Sequence, residues 1–466
     1  MGVRRCARRT AAAALLMFAS LTPSLAASVA WPLTINGRGR YLEDQNGVPF
    51  LMIGDSAWDM PAKLSPSEVT AYLDNRRARG FTTIVIRAMS PAAFGGPGNY
   101  AGAHPFLKGT ADWSLRSETY WKHVDFILNQ AKARGMLVMV FPAYLGWRCA
   151  EQGWCREMVA QTDAAMADFG TWLGTRYRDQ GNVLWAHGGD ADCAEYAGAC
   201  ERVNALAEAL RMAAGGGLHT ARSAPERSAL DDYNRKWLNV NTSYSYADPA
   251  GEVRSDYLRA NTLPFTYQEG AYENEHDSTA LTWQSQAFAA YLGGARLGHY
   301  FGACPLWNFD ARTDWCTRTS ERWRTQLDDP GSVIMGNIAR LLRSRSWHTL
   351  MPDYDDTVVT SAKGSGLHYH STAREADGRT VLVWCPNIEP VVIAMAAVAG
   401  TQARAWWYDP DDNSAREIGT LPTAGSRTFT PPRARLVLVL DDAGQSLPVP
   451  GGTAVAAPSP RRDPPG

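Results

Sequence analysis

The sequence predicts an α/β fold, a (β/α)8 TIM barrel, followed by a small antiparallel β-sandwich-like domain. Three observations predict it. Short apolar stretches alternate with helix-like stretches from residue 48 to residue 310. Two of those apolar stretches close on an acid beside glycine: Asn182-Val183-Leu184-Trp185-Ala186-His187-Gly188-Gly189-Asp190 and Pro264-Phe265-Thr266-Tyr267-Gln268-Glu269. Beyond residue 350 the helical spacing gives way to short strand-like runs separated by turn residues.

Residues 1–26 read as a signal peptide. Arg4, Arg5, Arg8 and Arg9 form its charged region, and Ala11 to Leu21 form an apolar core too short to span a bilayer. Ser24-Leu25-Ala26 offers a small-residue cleavage site. The barrel domain is expected over residues 31–350. It opens on a hairpin, Leu33-Thr34-Ile35 and Arg40-Tyr41-Leu42 about Asn36-Gly37, placed to cap the barrel bottom. Eight barrel strands follow: Phe50–Gly54, Thr82–Arg87, Leu137–Phe141, Asn182–His187, Leu218–Ser223, Trp237–Thr242, Phe265–Gln268 and Gly298–Phe301.

Between the strands lie helical patterns. Ser65-Pro66-Ser67-Glu68 opens one, with a capping residue, proline in the first turn and an early acid. Trp121–Arg134, Ala164–Tyr177 and Asn204–Ala213 are others, and Ser332–Trp347 joins the two domains. The C-terminal domain, 351–442, is expected to use Val358–Ser361, Leu367–Ser371, Thr380–Cys385, Val391–Ala394, Ala403–Tyr408 and Ala434–Leu440. Residues 443–466, rich in Pro, Gly and Ala, read as a disordered tail.

The net charge of −1 becomes more negative once the leader's four arginines are removed, which gives no electrostatic footprint for nucleic acid or an anionic membrane. The chain carries 17 Trp and 18 Tyr, and aromatic faces suit sugar rings. Of the eight cysteines, six form close pairs: Cys149 and Cys155, Cys193 and Cys200, Cys304 and Cys316. Export permits disulfides. Nearest-neighbour pairing is the economical choice among the alternatives, and Cys385 is left over. The spacings match no zinc pattern, so neither metal nor cofactor is expected.

Chemistry on a parallel barrel sits at the carboxyl ends of its strands. Those ends collect Asp55, Trp58 and Asp59, then Arg87, Tyr144, Trp147, His187, Asp190, Tyr244, Glu269, Tyr272, Glu273 and Trp307. Two acids on separate strands are what glycoside hydrolysis requires. Trp58 is read as a sugar platform. Asp55 either holds a sugar hydroxyl or pairs with Arg87. His187 is read as a hydrogen-bonded neighbour rather than a proton carrier, and Tyr244 as a donor to the nucleophile.

Gly54-Asp55-Ser56-Ala57-Trp58, Arg79-Gly80-Phe81-Thr82, Asn182-Val183-Leu184-Trp185 leading to Gly188-Gly189-Asp190, and Glu269-Gly270-Ala271-Tyr272-Glu273 resemble the apiosidase-like glycoside hydrolases. The later strands resemble the small β domain, labelled collagen-binding, that follows such barrels. The resemblance implies a retaining enzyme, with Asp190 as acid/base and Glu269 as nucleophile. Arg87 where Gln is usual, His187 where an apolar residue is usual and Gly270 in place of Pro depart from the pattern. These changes bear on the substrate more than on the reaction. The expected protein is an exported, monomeric hydrolase of a plant or microbial polysaccharide. The alternatives are a catalytically silent carbohydrate-binding protein and a cell-surface adhesion protein.

Overall fold

Eight parallel strands build the barrel: β1 Met52–Ser56, β2 Thr83–Arg87, β3 Leu137–Phe141, β4 Val183–Gly188, β5 Leu218–Arg222, β6 Asn241–Tyr244, β7 Phe265–Glu269 and β8 Gly298–Phe301. The ladder runs β5-β4-β3-β2-β1-β8-β7-β6. At the seam, the Val240 N–H donates to the His219 carbonyl at 3.0 Å and the Thr242 hydroxyl to the Ala221 carbonyl, which draws β5 and β6 together. The short strand Arg227–Ser228 then pairs antiparallel with β6. This computed structural model describes residues 28–452 except 39, 234–235, 261, 305, 311–314 and 318–321. The expected leader and residues 453–466 of the expected tail lie outside the described residues. Among the described residues no helix is long and apolar enough to cross a membrane.

Strand alternation sorts side chains into two layers. Met52, Val85, Leu137, Met139, Leu184, Ala186 and Leu218 fill the barrel interior. Ile53, Ile84, Val138, Trp185 and Ala221 face the surrounding helices. Those helices include Pro66–Arg79, Glu118–Ala133, Asp163–Arg176 and Ala199–Ala214. The first begins with the capping box anticipated from Ser65 and Glu68 and stops at Gly80 in the left-handed region.

The N-terminal hairpin pairs Thr34–Ile35 with Leu42–Glu43, and Pro49–Phe50 adds a third strand. Phe50 therefore leaves the first barrel strand, where the sequence put it. Leu33, Leu42 and Phe50 bury against Leu297, Leu218 and Val240 and plug the barrel bottom.

The C-terminal sheet is antiparallel, in the order Leu350–Pro352, Thr372–Glu375, Thr380–Cys385, Leu436–Asp442, Gln402–Asp409, Ser414–Pro422. Val391–Ala394 and Ser426–Phe429 pair separately. Three expectations change here. Residues 358–361 form only an isolated Val359–Ile393 bridge, because the Asp353 carboxylate takes the N–H groups of Thr357, Val358 and Val359 at 2.9 Å each. Residues 367–371 hold a 3-10 turn, and the strand starts at Thr372. Ser414–Pro422 escaped notice because an edge strand with little buried surface needs no apolar alternation. The tail also starts later than residue 443. The Gly451 N–H donates to the Ser344 hydroxyl at 3.2 Å, and its carbonyl accepts from the Asn413 side-chain amide at 3.4 Å.

The β sheet shares its core with the barrel. Val381, Val383 and Cys385 face the domain's own core, while Leu382 and Trp384 face the barrel helices. Trp384 stacks on Phe288 at 4.5 Å, inside the buried helix Ala280–Gly293. Arg345 and Asp441 form a buried ion pair across the junction, 2.6 Å apart. Truncating Trp384→Ala is expected to cost about 3–5 kcal/mol, read by denaturant unfolding. A loss below about 1 kcal/mol would show that the two layers are independent.

The disulfides are Cys149–Cys155, Cys193–Cys200 and Cys304–Cys316, and Cys385 is a buried free thiol. Non-reducing peptide mapping is expected to recover these three pairs. Cys385 should react with thiol reagents only after unfolding, because burial pushes its thiol up to about 12.

Candidate active site

Every barrel strand sends a side chain into one cleft of about 690 Å3 at the carboxyl ends: Trp58 after β1, Arg87 from β2, Tyr144 after β3, Asp190 after β4, Arg222 from β5, Tyr244 from β6, Glu269 from β7 and Trp307 after β8. The aromatic floor continues the barrel interior. Trp58 packs on Phe141 and Tyr144 at 5.0 and 5.3 Å, in the same apolar cluster as Met139 and Leu184.

The chain must turn sharply to present Asp190. Gly189 has φ of +138°, and a Cβ there would lie 2.5 Å from the Tyr144 ring. Glycine thus lets Tyr144 approach closely enough for its hydroxyl to donate to Asp190 Oδ2 at 2.7 Å. Asp190 Oδ1 accepts from Arg222 Nη2 at 2.7 Å, and Arg222 Nη1 donates to Glu269. One guanidinium therefore bonds both acids. It is 1% exposed and lies over the Tyr244 ring at 4.3 Å.

Glu269 is 7% exposed. Burial pushes its carboxyl up to about 7; Arg222 opposes that shift, and the charge of Asp190 adds to it. The Tyr272 hydroxyl donates to Glu269 and accepts from Trp58 Nε1 at 2.8 Å. Tyr244 does not take the expected donor role toward Glu269; its ring lies under the Arg222 guanidinium instead.

The rim is aromatic as well. Trp307 and Trp315 stack at 5.1 Å, and Phe94 meets Trp307 edge-on at 5.1 Å. Trp147 stands 39% exposed at the mouth, in the turn that the Cys149–Cys155 bridge clamps. Among the described residues the buried Trp307 Nε1 has no hydrogen-bond partner.

Three expected site residues lie outside the cleft; strand geometry explains two and the path of a loop the third. Asp55 shares the outward face of β1 with Ile53. It is fully buried, takes a bond from Tyr72 and pairs with Arg76 at 3.2 Å. Arg76 in turn reaches the Ser332 hydroxyl at 2.9 Å, so Asp55 ties the barrel to two helices. It holds neither sugar nor Arg87. The partner of Arg87 is Asp59, at 2.7 Å. His187 shares the outward face of β4 with Trp185. It stacks on His219 and meets Trp237 at 4.9 Å, and burial keeps it well below the usual imidazole range. Glu273 accepts from the Gly331 N–H at 2.9 Å at the start of helix Pro330–Arg343, where a carboxylate complements the helix dipole.

The cleft's additional acid is Glu275. It accepts from the Tyr272 N–H at 2.6 Å and from the Tyr246 hydroxyl at 3.3 Å. Sequence reasoning missed Glu275, Tyr246, Trp315 and Arg222. Only Arg222 left a signal: it shares the inward parity of Leu218 on β5.

Residues 36–349 match the family described as "Apiosidase-like, catalytic domain", and residues 352–441 match "Putative collagen-binding domain of a collagenase". No curated protein matches the chain. Among solved structures, a glycoside hydrolase family 5 protein from Bacteroides vulgatus ATCC 8482 is 21% identical with a TM-score of 0.79, covering 91% of this chain and 96% of its own. A second, described as a glycoside hydrolase, is 20% identical with a TM-score of 0.77, covering 89% and 98%. Both likenesses concern the fold. The match over residues 36–349 takes in nearly the whole barrel and more than half of the chain: the chain belongs to the apiosidase-like family of glycoside hydrolases.

Proposed function

We propose that the protein is an exported retaining glycosidase of a plant or microbial polysaccharide, with Asp190 as acid/base and Glu269 as nucleophile. The observation that carries this reading is the single guanidinium bonded to both carboxylates. A shared partner favours a short separation, and retaining pairs stand about 5–5.5 Å apart whereas inverting pairs need about 6.5–9.5 Å to admit water. Glu269 attacks the anomeric carbon while Asp190 gives its proton to the leaving oxygen. Asp190 then takes a proton from water, whose oxygen attacks the same carbon and frees Glu269. Trp58 and the Trp307–Trp315 stack supply faces for sugar rings, and the Trp307 N–H is open to a hydroxyl. Three disulfides support export to an oxidising compartment, and the neutral-to-acidic charge favours no nucleic-acid or membrane partner. With both acids in the cleft, a silent binding protein is the weaker reading.

Separate leaving groups test the roles. Glu269→Gln is expected to lose at least about 10^3-fold activity on every substrate, because no carboxylate remains to form the glycosyl intermediate. Asp190→Asn should lose a comparable factor on natural glycosides yet retain activity on aryl glycosides with strongly acidic leaving groups, which need little protonation. Equal losses on both substrate types for Asp190→Asn would remove it from the acid role. Glu273→Gln should act through stability, and a loss of activity at unchanged melting temperature would show that it belongs to the site.

The nucleophile works as a carboxylate, so activity requires Glu269 to be deprotonated. With its carboxyl raised to about 7 by burial, kcat/KM should fall about tenfold per pH unit below about 7. A profile flat down to pH 5 would contradict this assignment.

A further inference from the structure

In the resting geometry Glu269 is poised the wrong way round for the first chemical step. Asp190 accepts on both oxygens, from Arg222 and from Tyr144, at 2.7 Å each. Glu269 lies deeper, and burial favours its protonated form. The retaining step needs the reverse, a proton on Asp190 and a bare Glu269.

We propose, resting on the roles assigned above, that Arg222 is a positioning residue that allots the proton of the acid pair, leaving Asp190 for Glu269 as substrate enters. Its surroundings permit that movement. The guanidinium lies among ring faces, 4.3 Å from Tyr244, 5.3 Å from Trp58 and 5.8 Å from Tyr144. Ring faces attract a cation without fixing its direction. Its Nε has no hydrogen-bond partner among the described residues. The backbone is fixed by contrast: the Arg222 carbonyl accepts the Gly189 N–H at 2.9 Å, which ties the strand end to the turn carrying Asp190. The head group can slide between the acids while its root stays in place.

The step is balanced. One proton leaves Glu269 and one is taken up by Asp190, so the net charge of the pair is unchanged. The other titratable groups facing Glu269 do not compete for that proton. Tyr144, Tyr244, Tyr246, Tyr267 and Tyr272 are all raised well above the usual phenol range by burial and stay neutral. Glu275 is also raised by burial, and it is held by the Tyr272 N–H and the Tyr246 hydroxyl.

The test is the pH profile of kcat/KM for Arg222→Met, which removes the cation and keeps much of the bulk. Both limbs are expected to move upward by at least about one unit, because each acid loses a cation that favoured its ionised form. The fall at pH 6 should be at least about tenfold, with much of the activity regained at higher pH. Arg222→Lys, a point charge that serves one acid at a time, should fall between the two profiles and covers the case in which Arg222→Met does not fold. Limbs that stay in place while the whole profile drops would reduce Arg222 to a structural part and overturn the proposal. If the wild type releases no sugar, or Glu269→Gln remains active, the assignment of the acids fails instead. A wild type that depends on Glu269, paired with unmoved limbs in both Arg222 variants, overturns the role of Arg222 alone.

Discussion

A buried carboxylate and a half-buried one at the mouth of a barrel must be compensated, and the ion triad Asp190–Arg222–Glu269 is how this protein does it. An isolated buried carboxylate costs several kcal/mol or takes up a proton. Arg222 offsets that cost for both acids at once, and it is itself shielded by Tyr244, Trp58 and Tyr144. Much of the cleft follows from this requirement. Gly189 exists so that Tyr144 can come close enough to take up the second oxygen of Asp190. The chain of donors from Trp58 through Tyr272 to Glu269 serves the other acid. The aromatic rings therefore screen the triad from water and, on the proposed function, would offer faces to a sugar.

Around the triad lies a ring of polar contacts that touch no substrate. Asp55, Tyr72, Arg76 and Ser332 lock β1 to two helices. Glu273 fixes the start of one of them through Gly331, directly after the strand that carries Glu269. That helix, Pro330–Arg343, also meets the C-terminal domain, where Asn337 donates to the Pro410 carbonyl at 2.9 Å. The β domain thus braces the barrel from one side through a sheet whose two faces are both buried. The acids that looked functional in sequence but proved structural are what this bracing requires.

What the sequence determined by itself is the architecture and the acid pair. Alternating apolar and helical stretches specified a parallel barrel because buried parallel strands must be apolar on both faces and joined by helices. An acid ending each of two such strands was conspicuous because a charge after an apolar run has to be paired or put to use. The close cysteine pairs could be matched because short loops leave little choice of partner. Tertiary structure alone decided which polar residues share the cleft. Asp55 and His187 sit at strand ends as Arg87 and Arg222 do, yet the period of two turns the first pair outward and the second pair inward. Glu273 and Glu275 are two residues apart, and only the path of the loop sends one to a helix start and the other to the cleft. Arg222 carried no motif at all. Its part depends on bonding residues 32 and 47 positions away, a distance over which only the closed barrel brings side chains together.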